Sequence, residues 1–185
     1  MHGGRGFVRD YSHEITLRVT IVMSVLEFCQ WIQDTQFATA FRESQYVFPI
    51  VEGIHVLALS LSVGTVMWFD LRLIGVTMRG QPVSKVFGPI KPWMFAGFGV
   101  MVTSGVMLFL AHALQCYESI YFRVKAALLV TALVNVVIYH LTIDRRKYDW
   151  DKAPIPPLQA RMAGIVSLVL WVAIIAVGRL MAYNL

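Results

Sequence analysis

The chain has 185 residues, of which 57% are hydrophobic and only 15% are charged, and its formal net charge is +5. Soluble domains are roughly 45–50% apolar and about 25% charged. The composition therefore excludes a disordered chain, a nucleic-acid-binding domain and most soluble enzymes. It predicts an integral membrane protein whose surroundings are the lipid bilayer and which binds no nucleic acid.

The segment 14–45 is less apolar than the rest of the chain, and its polar residues recur at spacings of three and four. This is the period of one face of a helix. The polar stripe consists of Thr16, Thr20, Ser24, Glu27, Gln30 and Asp34. We expect an amphipathic helix that lies in the membrane interface or against the rest of the protein. A fifth spanning helix is the alternative, and the charges of Arg18 and Glu27 count against it.

Four later stretches are long and apolar enough to cross a bilayer, which takes about 20 residues. They are 47–69, 93–114, 126–143 and 162–183. The sequence therefore predicts an all-α fold, with a four-helix transmembrane bundle over 46–185. An N-terminal tail and the amphipathic helix occupy 1–45.

The basic residues are distributed unevenly between the connections. Most lie in the predicted loops 70–92 and 144–161, whereas 115–125 holds only Arg123 and Lys125. Because cytoplasmic loops carry an excess of Lys and Arg, the first two loops are expected in the cytoplasm and the C-terminus in the periplasm, with the bundle in a bacterial inner membrane. Three arginines within the first 18 residues fit this orientation poorly and favour the fifth span.

Titratable side chains within the membrane are costly and mark candidate functional sites. Counting about 1.5 Å per residue from the cytoplasmic end of each span, at Asp70 and Lys91, places His55 and His112 near the outer face. Two imidazoles that face one another from different helices could be the metal ligands of haem b. Arg179, Arg123 and Lys125 could bind the haem propionates from the same end.

Other interpretations of these polar residues stay open. Glu52 lies three residues before His55 on the same helical face and could be its structural hydrogen-bond partner. The same pair could relay protons or contact a quinone. Asn135 is expected to hold helices together, and His140 is a further candidate near the opposite face.

The two cysteines, Cys29 and Cys116, form no metal-binding or haem-attachment motif. A disulfide between them and two free thiols in apolar surroundings are both open interpretations.

The stretches 41–75, 92–109 and 121–140 resemble an uncharacterised family of small bacterial membrane proteins. The resemblance implies a short N-terminal helix followed by four spans. The family pattern does not include His112 and falls on Glu52, His55, Asp70, Arg72, Lys125, Asn135 and His140. The architecture is also similar to that of small cytochrome b561-like and CopD-like four-helix proteins, which is a similarity of fold and does not imply function.

Two functions are expected from these observations. The first is a membrane electron-transfer subunit that binds one haem b and exchanges electrons with quinone or a periplasmic partner. The second is a non-redox accessory subunit of a larger respiratory or photosynthetic complex, which has other membrane-protein subunits as partners. A small transporter or copper permease is a third possibility, but the chain shows no inverted repeat.

Overall fold

The computed structural model describes residues 24–143 and 150–183, and this part of the chain is helical with no strand. Its helices are α1 (24–33), α2 (Gln36–Glu43), α3 (Val47–Ile74), α4 (Val83–Ala111), α5 (Ala113–Glu118), α6 (Ile120–Ile138) and α7 (Leu158–Tyr183). A π-helical turn, Tyr139–Ile143, follows α6. Within the described residues, α3, α4, α7 and the segment Ile120–Thr142 are long and apolar enough to cross a membrane. The predicted all-α membrane bundle is therefore confirmed.

The helices differ from the predicted spans mainly at one end of the bundle. Helix α3 continues one turn beyond position 69 and ends at Gly75, whose φ of 84° is the left-handed conformation typical of a glycine cap. Helix α4 begins at Val83 and contains Pro89 and Pro92, since membrane helices tolerate proline where neighbouring groups satisfy the backbone. The α3–α4 connection is therefore residues 75–82 rather than 70–92.

Polar contacts hold the connection 75–82 to the described part of the other connection at this end, residues 150–157. Arg72 is fully buried and donates from Nε and Nη2 to the Gln81 carbonyl at 3.0 and 2.8 Å, and from Nη2 to the Ala153 carbonyl at 3.1 Å. The carboxylate of Asp151 accepts from the Ser84 backbone N–H at 2.7 Å and from its hydroxyl at 2.6 Å, which caps the start of α4. We call this end of the bundle the basic end.

Helices α1 and α2 lie at the opposite end, which we call the α1 end. Gln33 accepts a hydrogen bond at 3.0 Å from the backbone of Leu114, and the Arg42 guanidinium donates to the Ala111 carbonyl at 3.1 Å. The N-terminal segment thus contacts the end of α4 and the start of α5. Residues 14–23 of the predicted amphipathic helix lie outside the described residues.

Two glycines set the order of the spanning helices. A Cβ built on Gly97 of α4 would stand 3.0 Å from Ser62 of α3, and one on Gly164 of α7 would stand 3.1 Å from the Asp70 carbonyl of α3. Small residues allow this close approach of membrane helices. Helix α3 therefore packs between α4 and α7, and α6 packs on α7. Phe109 of α4 and Phe122 of α6 stack near the α1 end, whereas a gap remains between the two helices towards the basic end.

Candidate functional site

The gap between α4 and α6 contains a pocket of about 320 Å³. Aromatic side chains form much of its wall, and they are Phe69, Phe87, Phe95, Phe98, Tyr139 and Trp171. Leu133 and Phe95 line the pocket and are exposed on the bundle surface, so the pocket opens between the two helices. A concave, largely apolar pocket with a few polar groups is typical of a small-molecule site.

Besides the phenol of Tyr139, four polar side chains line the pocket towards the basic end, and we call them the polar end: Asp70, Asn135, His140 and Ser167. Asp70 is only 4% exposed, and the Ser167 side chain is its hydrogen-bond partner. Its second carboxyl oxygen, Oδ2, has no hydrogen-bond partner among the described residues. The side-chain nitrogen of Asn135 donates to the Ala163 carbonyl at 3.1 Å, which joins α6 to α7.

The local sequence explains how these polar groups meet. Asp70 lies in the last turns of α3, where the absence of a side chain at Gly164 lets α7 approach. Ser167 follows Gly164 by three residues and so lies on the same face of α7, towards Asp70. Asn135 belongs to the last turn of α6, and the π-helical turn that carries His140 begins directly after it at Tyr139. Such turns occur frequently at functional sites.

The two histidines predicted as haem ligands lie in the α3–α4 contact at different levels. Nδ1 of His55 lies 3.0 Å from the Ser104 hydroxyl. The His112 ring lies edge-on to Phe48, with ring centroids 5.3 Å apart. Because Phe48 precedes His55 by seven residues on α3, the two imidazoles are separated by about 10 Å along the helix.

This arrangement does not fit ligation of one haem b by His55 and His112. Two imidazoles on opposite sides of one metal ion have their ligand nitrogens about 4 Å apart, which is twice a metal–nitrogen bond of about 2 Å. The α3–α4 contact around His55 is also too close for a porphyrin, since a Cβ on Gly105 would stand 3.1 Å from the imidazole. The described residues therefore do not bring the predicted metal ligands together.

The predicted propionate-binding residues are dispersed. Arg179 is exposed and pairs with Tyr183 on its own helix, where its Nη2 lies 3.1 Å from the phenol oxygen. Arg123 is also exposed and donates to the Tyr117 carbonyl. Lys125 is half-buried, and its ammonium lies in the α6–α7 contact beside Gly178. These three cations do not form one anion site.

Glu52, His55, Lys125 and His112 form a loose electrostatic group in the half of the bundle near the α1 end. Glu52 is exposed, and its charge acts on both His55 and His112, whereas Lys125 acts on His55. Burial lowers the pKa of His112, and the nearby positive charge of Arg42 lowers it further. The His112 imidazole is therefore neutral at pH 7, because its ordinary pKa is already about 6.5.

The main residues that the sequence reasoning missed are Asp70, Ser167 and Trp171. Asp70 was interpreted as the boundary of the first span, although apolar residues continue the helical pattern to Ile74. The signal that could have found it was the family pattern, since Asp70, Asn135 and His140 of that pattern all line one pocket.

The comparison with known proteins agrees with the expected membership of an uncharacterised family. No curated protein matches the chain, and no solved structure matches it either. Residues 28–184 match a family of unknown function, and this range includes every residue that lines the pocket. Because the match covers most of the 185 residues, the chain belongs to the Family of unknown function (DUF6644).

Proposed function

We propose that the protein is a membrane subunit that binds a lipophilic molecule of the quinone type and serves electron transfer in the membrane. The observation that carries this proposal is the aromatic pocket between α4 and α6. It has polar groups at one end and opens on the bundle surface beside Leu133, which is 63% exposed. A ligand dissolved in the lipid phase can therefore enter without crossing water.

The shape and chemistry of the pocket suit a flat ring with a long tail. Phe98 of α4 and Trp171 of α7 contact each other in the pocket wall, with ring centroids 5.5 Å apart. Aromatic walls of this kind bind a flat ring by stacking and edge contacts. A ring oxygen of the ligand then lies at the polar end, and the ligand tail extends through the opening into the lipid.

The protein's own residues bind and orient this ligand in the proposal, and the ligand carries the electrons. Because His55 and His112 do not fit haem b, we assign no step to a haem. The electron donor or acceptor is then a partner subunit. Similarity to cytochrome b561-like or CopD-like proteins stays a prediction.

A second candidate is the non-redox accessory subunit of a larger respiratory or photosynthetic complex. It is favoured by the outward face of α1 and α2, where Phe28, Trp31 and Phe37 are 57, 66 and 56% exposed. Such an aromatic face suits lateral contact with another membrane protein. An accessory subunit requires no ligand in the pocket, so an experiment that measures ligand binding separates the two candidates.

We also propose that the basic end faces the cytoplasm of a bacterial inner membrane and that the C-terminus is periplasmic. The support is the set of cations at that end, which includes Arg72, Arg79 and Lys85 near the α3–α4 connection and Lys152 and Arg161 near the other. Labelling of single cysteines placed at 79 and 183 with a membrane-impermeant maleimide, in intact cells, tests it. Labelling at 79 alone would overturn the orientation.

The binding proposal is tested by reconstituting the purified chain in lipid nanodiscs with a short-tailed quinone and measuring the bound quinone by extraction and mass spectrometry. Leu133→Trp at the opening should reduce binding, because the larger side chain blocks entry. Val134→Trp is the matched control, since Val134 is exposed but does not line the pocket. Wild-type discs that retain no more quinone than empty discs would overturn the proposal.

A reduced-minus-oxidised absorption spectrum of the same sample tests the conclusion about haem. A b-type band at about one haem per chain that is lost in both His55→Ala and His112→Ala would overturn it.

A further inference from the structure

We infer that the pocket prefers the reduced, dihydroxy form of its ligand to the quinone, with a ligand hydroxyl donating to Oδ2 of Asp70. This inference rests on the proposed function, because it assumes a ligand of the quinone type. It adds which redox form the site selects and which residue selects it.

The first support is the unsatisfied oxygen of Asp70. This side chain is 96% buried and lines the pocket, Ser167 occupies one side of its carboxyl group, and Oδ2 has no hydrogen-bond partner in the described part of the chain. Arg72 is two residues away but is directed to the carbonyls of Gln81 and Ala153. A buried acceptor without a donor is costly, so the adjoining pocket is the natural place for a ligand donor.

The second support is the orientation of Asn135. A backbone carbonyl can only accept, so the Asn135 amide nitrogen must be the atom that faces the Ala163 carbonyl, 3.1 Å away. Its side-chain oxygen is then an acceptor left for other partners, beside the second N–H of the amide. Asp70 and Asn135 thus both offer acceptors at the polar end.

The chemistry of the two ligand forms follows from these acceptors. A quinol carries two hydroxyl groups that donate hydrogen bonds, whereas the carbonyl oxygens of a quinone only accept. A quinone oxygen placed against Oδ2 of the ionised Asp70 carboxylate would bring two acceptors together and leave both unsatisfied. The quinol satisfies the buried oxygen, and hydrogen bonds to charged or buried acceptors are among the stronger ones.

The test compares three ligands with the same ring and tail on the wild-type chain in nanodiscs: the quinol, the quinone and the dimethyl ether of the quinol. Dissociation constants are measured by calorimetry without oxygen. We expect the quinol to bind about tenfold more tightly than the quinone, with the ether close to the quinone because it cannot donate. This part of the test depends on no variant folding correctly.

Asp70→Asn then assigns the preference to Asp70. The substitution keeps the shape but supplies an amide donor for a quinone carbonyl, so the preference should fall to about onefold or reverse. Glu52→Gln is the matched control, since it makes the same chemical change near the α1 end and should keep the preference.

Each remaining outcome overturns one statement. Equal binding of quinol and quinone to the wild-type chain overturns the inference and leaves the proposed function standing. A quinol preference that persists in Asp70→Asn overturns the assignment to Asp70. Failure of all three ligands to bind overturns the proposed function itself.

Discussion

Gly97 on α4 lies so close to Ser62 on α3 that a Cβ built on the glycine would stand 3.0 Å from both the Cβ and the backbone nitrogen of the serine. A backbone atom cannot rotate away as a flexible side chain can. The spacing of α3 and α4 therefore depends on the absence of a side chain at Gly97. This spacing also determines where α4 stands relative to the pocket.

We expect Gly97→Ala to destabilise the bundle by about 1–3 kcal/mol, because the added methyl group forces the two helices apart. The free energy of unfolding can be measured by titrating the protein in mixed micelles with a denaturing detergent. Gly99→Ala is the matched control, since a Cβ there meets nothing within 4 Å. Equal losses in the two variants would show that the close contact does not limit stability.

The guanidinium of Arg72 connects the two loops at the basic end. We expect Arg72→Lys to cost about 2–4 kcal/mol in the free energy of unfolding, because an ammonium cannot reach the carbonyls of Gln81 and Ala153 together. Arg79→Lys is the control, as Arg79 is exposed and donates to the Gly75 carbonyl four residues away. A cost at Arg72 no greater than that at Arg79 would contradict this role.

The spans were predictable because hydropathy alone identifies stretches that must lie in lipid, and the four predicted spans match the four found among the described residues. The start of α4 could not be predicted in the same way, because its first turns contain lysines and prolines that resemble a polar break between spans. They are Lys85, Pro89, Lys91 and Pro92. In the structure they belong to the helix. Lysine side chains near the end of a membrane helix can extend to the interface, so they do not end it.

The pocket could not be predicted, because hydropathy does not say which helices are neighbours. Asp70, Asn135 and Ser167 come from three helices, and they meet because α7 packs against both α3 and α6. The histidine pair was predicted from depths counted from Asp70 and Lys91, taken as the cytoplasmic ends of the two spans. Since α3 extends to Ile74 and α4 begins at Val83, both starting points were displaced, and the two rings lie at different levels.

Asn135 is expected to contribute modestly to the packing of α6 on α7. Asn135→Leu removes its hydrogen bond to the Ala163 carbonyl and should lower the free energy of unfolding by about 0.6–2 kcal/mol. Thr131→Val is the control one turn earlier, because Thr131 is exposed and bonds only within its own helix, to the Ala127 carbonyl at 2.9 Å. A neutral Asn135→Leu would show that this bond does not stabilise the bundle.

The thiol of Cys116 gives a pH-dependent prediction outside the spanning helices. Burial raises the pKa of Cys116 to about 11, so about 0.1% is thiolate at pH 8, and only the thiolate reacts with iodoacetamide. In a Cys29→Ser chain, which retains Cys116 alone, alkylation of the folded protein should be slow at pH 8. The rate should rise about tenfold per pH unit to beyond pH 10.

The control for this measurement is an exposed thiol in the same helix. Gln115→Cys, in a chain with both native cysteines replaced by serine, should react quickly and reach its full rate near pH 9, because an exposed thiol has a pKa of about 8.5. Raising the pH also weakens the fold, because the folded state holds the Cys116 proton more tightly than the unfolded state between the ordinary thiol pKa and about 11. Alkylation of Cys116 at pH 8 as fast as that of the exposed thiol would contradict its burial.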